Sequence, residues 1–503
     1  MYMTRSKKLA LNTTISLINQ LVIVICGFIL PRMFLVTYGS AVNGLQASIT
    51  QCLGFIALCE LGVGAVVQSA LYKPLAKKNE EEISKIICSA ERFFHKLGWL
   101  LLVYTLVLMV FYPLIIKKEF GFIYTSSLIL IISLSSFAQY FLGITYRLLL
   151  NADQMGFIQL SLHIIALILN TIIAVTLMKS GVSIHWVKLV SSIIFIVQPI
   201  CLILYVHKHY HINHKLKLNT EPIKQKWNGI AQHISAFVLG GTDIAVLTLF
   251  CSLDAVSVYT VYNLVINGIK QFVFAFTAGV QATFGNMLVN QEMDNLRTSF
   301  SHFEWLMHTV TTFLFGMTGL LIVPFVQVYT KGVTDTNYIV PSFAMLFTCA
   351  IAMHCLRLPY NIMILAAGHY KETQNSAFIE AGINIVLSVL LVFKYGLIGV
   401  VIGTLLALTY RTIYFAYYLS HNIIGRELTH FRKHILIDIF TIIGMIICTC
   451  SFKMTEISYG AWFVLACKTG IICLIISTVI NWLFYCQEIT QLYRRIMNKL
   501  RSM

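Results

Sequence analysis

The sequence predicts an all-α polytopic membrane protein with about fourteen transmembrane helices, because a spanning helix uses about 20 apolar residues. Of its 503 residues, 58% are hydrophobic and only 11% are charged, against roughly 25% charged in soluble domains. Runs such as 100–116 and 435–450 are almost continuously apolar, whereas the strands of a membrane barrel alternate apolar and polar residues. These observations exclude a soluble globular protein and favour helices over a barrel.

Each predicted span is an apolar run between polar or charged residues. The first run follows Arg5, Lys7 and Lys8 and is too long for the apolar core of a signal peptide, so we expect it to remain as a helix. In order, the spans lie at 9–36, 41–69, 93–116, 122–150, 157–178, 184–206, 232–251, 256–289, 300–328, 339–366, 374–393, 396–419, 434–452 and 460–486.

Basic residues concentrate in the loops on the N-terminal side of the membrane, at 73–85, 207–226, 426–433 and 494–501. By the positive-inside rule, both termini are expected in the cytoplasm, as in a multi-pass protein of the cell membrane. The net charge of +16 is therefore read as a topology signal. We expect no nucleic-acid partner.

A repeat with an offset of about 215 residues divides the chain. Gly62 corresponds to Gly279 at an offset of 279−62=217, and Asn170 corresponds to Asn384 at 384−170=214. A repeat of six helices gives two lobes of the same orientation. The predicted divisions are an N-lobe at 1–206, a basic cytoplasmic linker at 207–231, a C-lobe at 232–419, an appended pair of helices at 434–486 and a basic cytoplasmic tail at 487–503.

Four cations lie within the predicted spans. Lys270 and Arg357 are deep in the second half, whereas Arg147 and Arg411 are nearer the ends of their helices. A charge at the bilayer centre costs about 2.5–3.5 kcal/mol on insertion scales, so such residues usually face a watery interior. We expect these four side chains to line a cavity and to bind an anionic substrate group.

Three acids also interrupt apolar runs: Glu60, Asp243 and Glu380. They are expected either to couple transport to an ion or to pair with the cations structurally. The histidines between His207 and His214 have no cysteine or carboxylate set near them in the sequence, so no metal site is expected. Nucleotide-binding and catalytic motifs do not occur in a suitable context, so we expect neither a cofactor nor an enzyme.

Several short motifs of the sequence resemble those of a known protein family. They are Tyr38-Gly39, Val42 to Leu45 and Glu60 to Gly64, and in the second half Glu380 to Asn384 followed by Gly396 to Gly399. In these stretches and in its helix count the chain resembles the Wzx-like polysaccharide flippases of the multidrug/oligosaccharidyl-lipid/polysaccharide exporter superfamily. The resemblance implies translocation of undecaprenyl-diphosphate-linked oligosaccharide by alternating access, with membrane lipid, a polysaccharide polymerase and glycan-assembly proteins as partners.

Three other functions remain open. A multidrug or metabolite exporter of the same superfamily would be expected to carry acidic rather than basic charges in its second-half cavity, because many drugs are cations. A flippase for a lipid-linked peptidoglycan precursor shares the headgroup chemistry of the first reading. A membrane polysaccharide polymerase or ligase is disfavoured, because the loops on the side opposite the N-terminus are short and hold no cluster of catalytic residues.

Overall fold

The computed structural model describes residues 4–60, 62–116, 119–214, 230–277, 279–486, 488 and 490. Within these ranges every regular element is helical and no strand occurs, which confirms the predicted fold class. Twelve helices are long and apolar enough to cross a membrane, in keeping with a multi-pass membrane protein. The two remaining predicted spans correspond to a shorter apolar helix at Gly240–Phe250 and to a helix at Thr429–Thr449 that carries three charged residues.

The chain divides into two compact units. The first unit, called the first lobe, holds residues 1–237 together with Ser252–Ser257, and the second lobe holds Val238–Cys251 and Val258–Met503. Of the predicted linker at 207–231, residues 215–229 lie outside the described residues, as does nearly all of the predicted tail at 487–503.

Eight α-helices build the first lobe. They are α1 (Arg5–Tyr38), α2 (Ser40–Gly54), α3 (Val63–Lys77), α4 (Glu80–Ile115), α5 (Phe122–Ala138), α6 (Ile144–Ala152), α7 (Gly156–Lys179) and α8 (Ile184–His209). A 3-10 helix at Phe55–Glu60 follows α2, and a π-helical segment at Gln139–Gly143 joins α5 to α6. At the start of α4, the Asn79 side chain accepts a hydrogen bond from the Glu82 amide at 3.2 Å, which satisfies a free N–H of the first turn.

Ten further α-helices complete the chain. They are α9 (Ile230–Phe250), α10 (Leu253–Ala275), α11 (Val280–Val289), α12 (Met293–Tyr329), α13 (Pro341–Leu356), α14 (Leu358–Ala366), α15 (Gln374–Tyr395), α16 (Leu397–Leu419), α17 (Thr429–Thr449) and α18 (Tyr459–Phe484). The predicted appended pair corresponds to α17 and α18, which pack on α12.

Four left-handed backbone positions recur along the chain at the offset of the sequence repeat. The pairs, with their φ angles, are Gly62 (74°) and Gly279 (78°), Lys78 (52°) and Gln291 (57°), Gln154 (59°) and Gly368 (77°), and Gly181 (72°) and Gly396 (54°). Their offsets are 279−62=217, 291−78=213, 368−154=214 and 396−181=215. Since residues with positive φ are uncommon outside turns, this match shows that the two halves break their helices at corresponding places.

One of these breaks differs from the sequence expectation. The predicted span 41–69 is interrupted, because α2 gives way to the 3-10 helix and Gly62 is left-handed before α3 begins. A left-handed residue is unfavourable for any side chain with a Cβ, so glycine is the residue suited to this break. Hydropathy alone gives one continuous run and therefore does not reveal it.

Candidate functional site

The first lobe contains a cavity of about 700 Å³. Its wall is formed by α1, α2 with the 3-10 helix, α5 and α6 with the π-helical segment, α7 and α8. The wall includes amide, serine and threonine side chains as well as Tyr140 and His163; the former are Asn19, Thr50, Ser135, Ser136, Gln139, Gln159 and Gln198. We call this the first-lobe cavity. Two of the seven side chains singled out from the sequence, Glu60 and Arg147, line it.

Irregular backbone brings the polar groups to the first-lobe cavity. Glu60 is the last residue of the 3-10 helix, and Gln139, Tyr140 and Gly143 of the π-helical segment lie in the wall. Single π-helical turns often occur at functional sites. A Cβ on Gly143 would lie 2.7 Å from Oε1 of Gln139 and 3.3 Å from Cβ of Pro199. A larger residue at position 143 would therefore require the Gln139 side chain to move and α8 to shift by a few tenths of an ångström.

Glu60 and Arg147, the two charged residues of the first-lobe cavity, do not form an ion pair with each other. The Tyr140 hydroxyl donates a hydrogen bond to Oε1 of Glu60 at 2.6 Å. Arg147 lies seven residues after Tyr140, and within the described residues it forms no ion pair. His163 and Asn19 share a hydrogen bond of 2.9 Å in another part of the wall. The cavity thus offers one carboxyl group and one guanidinium group to a bound molecule.

Three other predicted residues form a buried cluster in the second lobe. The guanidinium groups of Arg357 and Arg411 each donate to a different oxygen of Glu380. The three residues are 6%, 4% and 0% exposed, respectively, and the Phe415 ring lies 5.8 Å and 4.8 Å from the two guanidinium carbons. His354 Nδ1 is 2.9 Å from Arg357. We call this the Arg–Glu–Arg cluster. In this cluster, two cations that were expected to bind substrate are instead paired with a carboxylate of the same lobe.

The remaining two predicted residues have contrasting surroundings. Asp243 is 2% exposed and accepts hydrogen bonds from the Thr404 hydroxyl at 2.8 Å and from the Tyr259 hydroxyl at 3.1 Å. Lys270 is half-buried, and its ammonium group lies 5.6 Å from the centre of the Phe274 ring. In the described part of the second lobe Lys270 has no carboxylate within ion-pair distance.

The second lobe contains another buried network of ion pairs and hydrogen bonds, which the sequence alone did not predict. Glu304 on α12 pairs with Arg426, accepts a hydrogen bond from the Tyr360 hydroxyl at 2.8 Å and lies 3.5 Å from His434 on α17. His308 contacts Asp438 of α17 at 2.6 Å. Glu304 and His308 are four residues apart on α12 and both face α17. The spacing of four residues indicates that the two side chains share a face of α12. It does not predict their partners, because these come from another helix.

Comparison with known proteins shows which class of protein has this fold. A multidrug resistance MATE family transporter of the MOP superfamily in its inward-facing conformation is 13% identical, with a TM-score of 0.55 over 80% of this chain and 95% of that one. An outward-facing structure of a transporter of that description gives 12% identity and a TM-score of 0.51 over 81% of this chain and 93% of that one. The eukaryotic MATE transporter AtDTX14 is 13% identical, with a TM-score of 0.51 over 85% of this chain and 98% of that one.

No protein-family model and no curated protein matches the chain. At these identities the structural likeness establishes the fold: the chain has the fold of MATE transporters of the MOP superfamily. The sequence motifs pointed to the same superfamily. At 12–13% identity the likeness concerns the fold alone and does not identify a substrate.

Proposed function

We propose that the protein is a secondary exporter of a drug-sized polar solute, which it binds in the first-lobe cavity. The observation that carries this proposal is a cavity of about 700 Å³ with Glu60 and Arg147 in its wall, inside a fold shared with multidrug transporters. Pockets for drug-sized ligands measure about 300–1,000 Å³. The proposal is that of a transporter and not of an enzyme.

The chemistry of the wall suits a solute that forms hydrogen bonds. Amide and hydroxyl side chains donate and accept, and they outnumber the two charges of Glu60 and Arg147. A diphosphate headgroup would instead require several unpaired cations. In the second lobe, Arg357 and Arg411 already contact Glu380, so fewer cations remain for an anion than the sequence suggested.

In this proposal Glu60 couples export to an ion. The Tyr140 hydroxyl donates a hydrogen bond to the Glu60 carboxyl group and so links the two segments that carry these residues. A proton or a metal cation that reaches Glu60 competes with Tyr140 for the same oxygen, and its arrival weakens the link between the 3-10 helix and the π-helical segment. Both segments are irregular backbone, which is a feature of transporter ion sites. The gradient of that ion then drives the cavity to open alternately to the two sides of the membrane.

The test is transport by purified protein in liposomes, with a panel of polar solutes and an imposed ion gradient. Glu60→Gln and Arg147→Ala are each expected to lower transport about tenfold or more, because a hydrogen bond to a charged group is worth about 1.5–3 kcal/mol. Glu427→Gln and Arg432→Ala are matched controls, since both residues are exposed and lie outside the cavity. Transport unchanged by both cavity variants would contradict the proposal.

A flippase for undecaprenyl-diphosphate-linked oligosaccharide is the second candidate. It is favoured by the sequence motifs and by the net positive charge of the Arg–Glu–Arg cluster in the second lobe. Lys270 of the second lobe and Arg147 of the first lobe form no ion pair within the described residues. In this reading Lys270→Ala and Arg357→Ala reduce export, and Arg357→Lys retains part of it. In cells that lack the protein, lipid-linked repeat units then accumulate and surface polysaccharide disappears. If the lipid and glycan pools are unchanged, the flippase is excluded and the exporter of a small solute is the remaining proposal.

A further inference from the structure

Three side chains with metal-ligating atoms converge at the start of α4, away from the first-lobe cavity. Cys88 and Glu91 lie on α4, and His214 lies in the segment that follows α8. The Cys88 sulfur is 3.9 Å from Nδ1 of His214, and that nitrogen is 3.3 Å from Oε2 of Glu91. All three ligand atoms lie within 4.8 Å of one another. Cys88 is 6% exposed, and the other two residues are half-buried or more open.

The separation of 3.3 Å between His214 and Glu91 is that of two ligands of tetrahedral zinc, and the Cys88 sulfur lies somewhat farther out, 3.9 Å from His214. Bonds of about 2.3 Å to sulfur and about 2.0–2.2 Å to nitrogen and oxygen place the ligand atoms about 3.3–3.6 Å apart. Cys88 and Glu91 are three residues apart and therefore share one face of α4. A donor set of one thiolate, one imidazole and one carboxylate favours zinc over magnesium or calcium, which prefer oxygen ligands.

The segment that carries His214 is held on α4 by contacts of its own. The Asn213 amide donates to the Ser84 hydroxyl at 3.0 Å, and the Tyr210 hydroxyl donates to Asp153 at 2.5 Å. Burial, together with the Asp153 carboxylate, raises the pKa of Tyr210 well above its usual range, so this hydroxyl remains a donor. His214 is thereby positioned over α4 before any metal binds, which lowers the entropic cost of closing the site.

Neighbouring groups provide a hydrogen-bond partner for one of the three residues and a candidate fourth ligand. The Tyr146 hydroxyl hydrogen-bonds Glu91, and such partners orient the ligands of most metal sites. The ring of His207 lies 6.1 Å from that of His214, centre to centre, so this imidazole or a water molecule is available for the fourth position. The sequence had favoured no metal, because the histidines lie more than a hundred residues from Cys88.

We propose that Cys88, Glu91 and His214 form a zinc site that fastens the segment after α8 to α4. The proposal is independent of the exporter function, since none of the three residues lines the first-lobe cavity. Without a metal, the same atoms form a weak hydrogen bond from the Cys88 thiol to the Asn213 carbonyl at 3.7 Å and an ion pair between His214 and Glu91. Metal analysis distinguishes the two arrangements.

The experiment measures metal in the full chain, purified in detergent without chelators and then dialysed against micromolar zinc. We expect about one zinc per chain, retained through gel filtration. Cys88→Ser and His214→Ala should lower the zinc affinity more than about 100-fold, because even outer partners of a metal site contribute about 10–100-fold. The controls are His211→Ala, from the same segment, and Cys486→Ser, an exposed cysteine elsewhere; both should keep their zinc.

Cobalt adds a spectroscopic signature. Cobalt bound by the native chain should show a thiolate-to-metal charge-transfer absorption, and Cys88→His should retain cobalt but lose that absorption. This variant keeps a ligand at position 88, so it tests the assignment even if Cys88→Ser elutes as an aggregate. Zinc content that is near zero in the native chain, or equal in the native chain and in both ligand variants, would overturn the proposal.

Discussion

Glu380 lies between two buried guanidinium groups, those of Arg357 and Arg411. Removing the carboxylate charge leaves two cations of like sign in an apolar interior, so we expect Glu380→Gln to destabilise the protein by about 3–5 kcal/mol. The measurement is thermal unfolding of the purified protein, with Glu427→Gln as the exposed control. A Glu380→Gln variant that melts with the native protein would show that the cluster contributes no stability.

At the residue scale, the sequence identified the charges but not their partners. Glu60 and Glu380 stood out because apolar residues flank them, and burial of Glu380 follows from that pattern. Its partners are 23 and 31 residues away along the chain, and only helix packing brings them together. The sequence did not distinguish Tyr140, the hydrogen-bond donor to Glu60, from the other aromatic residues. Its position in the cavity wall follows from the π-helical segment.

At the element scale, the break before α3 makes a direct prediction. Gly62 has φ of 74°, and a Cβ in the left-handed region costs about 1–2 kcal/mol. Gly62→Ala should therefore lower the melting temperature and, by moving Glu60, reduce transport. Gly268→Ala is the matched control, because Gly268 lies within α10 with no heavy atom within 4 Å of an added Cβ. There alanine should be neutral or slightly stabilising. Equal effects of both substitutions would contradict a special role for the break.

The positions of most elements followed from hydropathy, whereas their interruptions did not. The predicted spans at 157–178 and 184–206 agree closely with α7 and α8. The spans at 122–150 and 339–366 conceal a π-helical segment and a junction at Arg357. Mean hydropathy is insensitive to a single residue that changes the hydrogen-bond pattern, so such irregular backbone escapes a reading based on apolar runs.

For the whole molecule, the distribution of basic residues predicts the orientation in the membrane. An even number of spans places both termini on one side, and the positive-inside rule makes that side the cytoplasm. A fluorescent protein fused after residue 503 should fold and fluoresce. Alkaline phosphatase inserted in the turn between α7 and α8, at residues 181–183, should be active outside the cytoplasm. The reverse pattern of the two reporters would contradict the orientation.

The repeat in the sequence indicated two lobes, but it did not indicate that their interiors differ. In the first lobe, corresponding helices surround a cavity with Glu60 and Arg147 in its wall, whereas in the second lobe they hold the Arg–Glu–Arg cluster. The backbone pattern is common to both halves and can be recognised from spacing. The substrate depends on a few side chains that differ between the halves, and spacing carries no information about those.

The recurring left-handed positions also bear on the ancestry of the chain. At two pairs both copies are glycine, while at the other two the residues have diverged to Lys78 with Gln291 and to Gln154 with Gly368. The turns have thus outlasted the residues that form them, as expected after duplication of an ancestral gene. The same set of turns thus supports two different interiors, one with buried ion pairs around Glu380 and one with a cavity between the helices, so the fold does not determine the chemistry of either half.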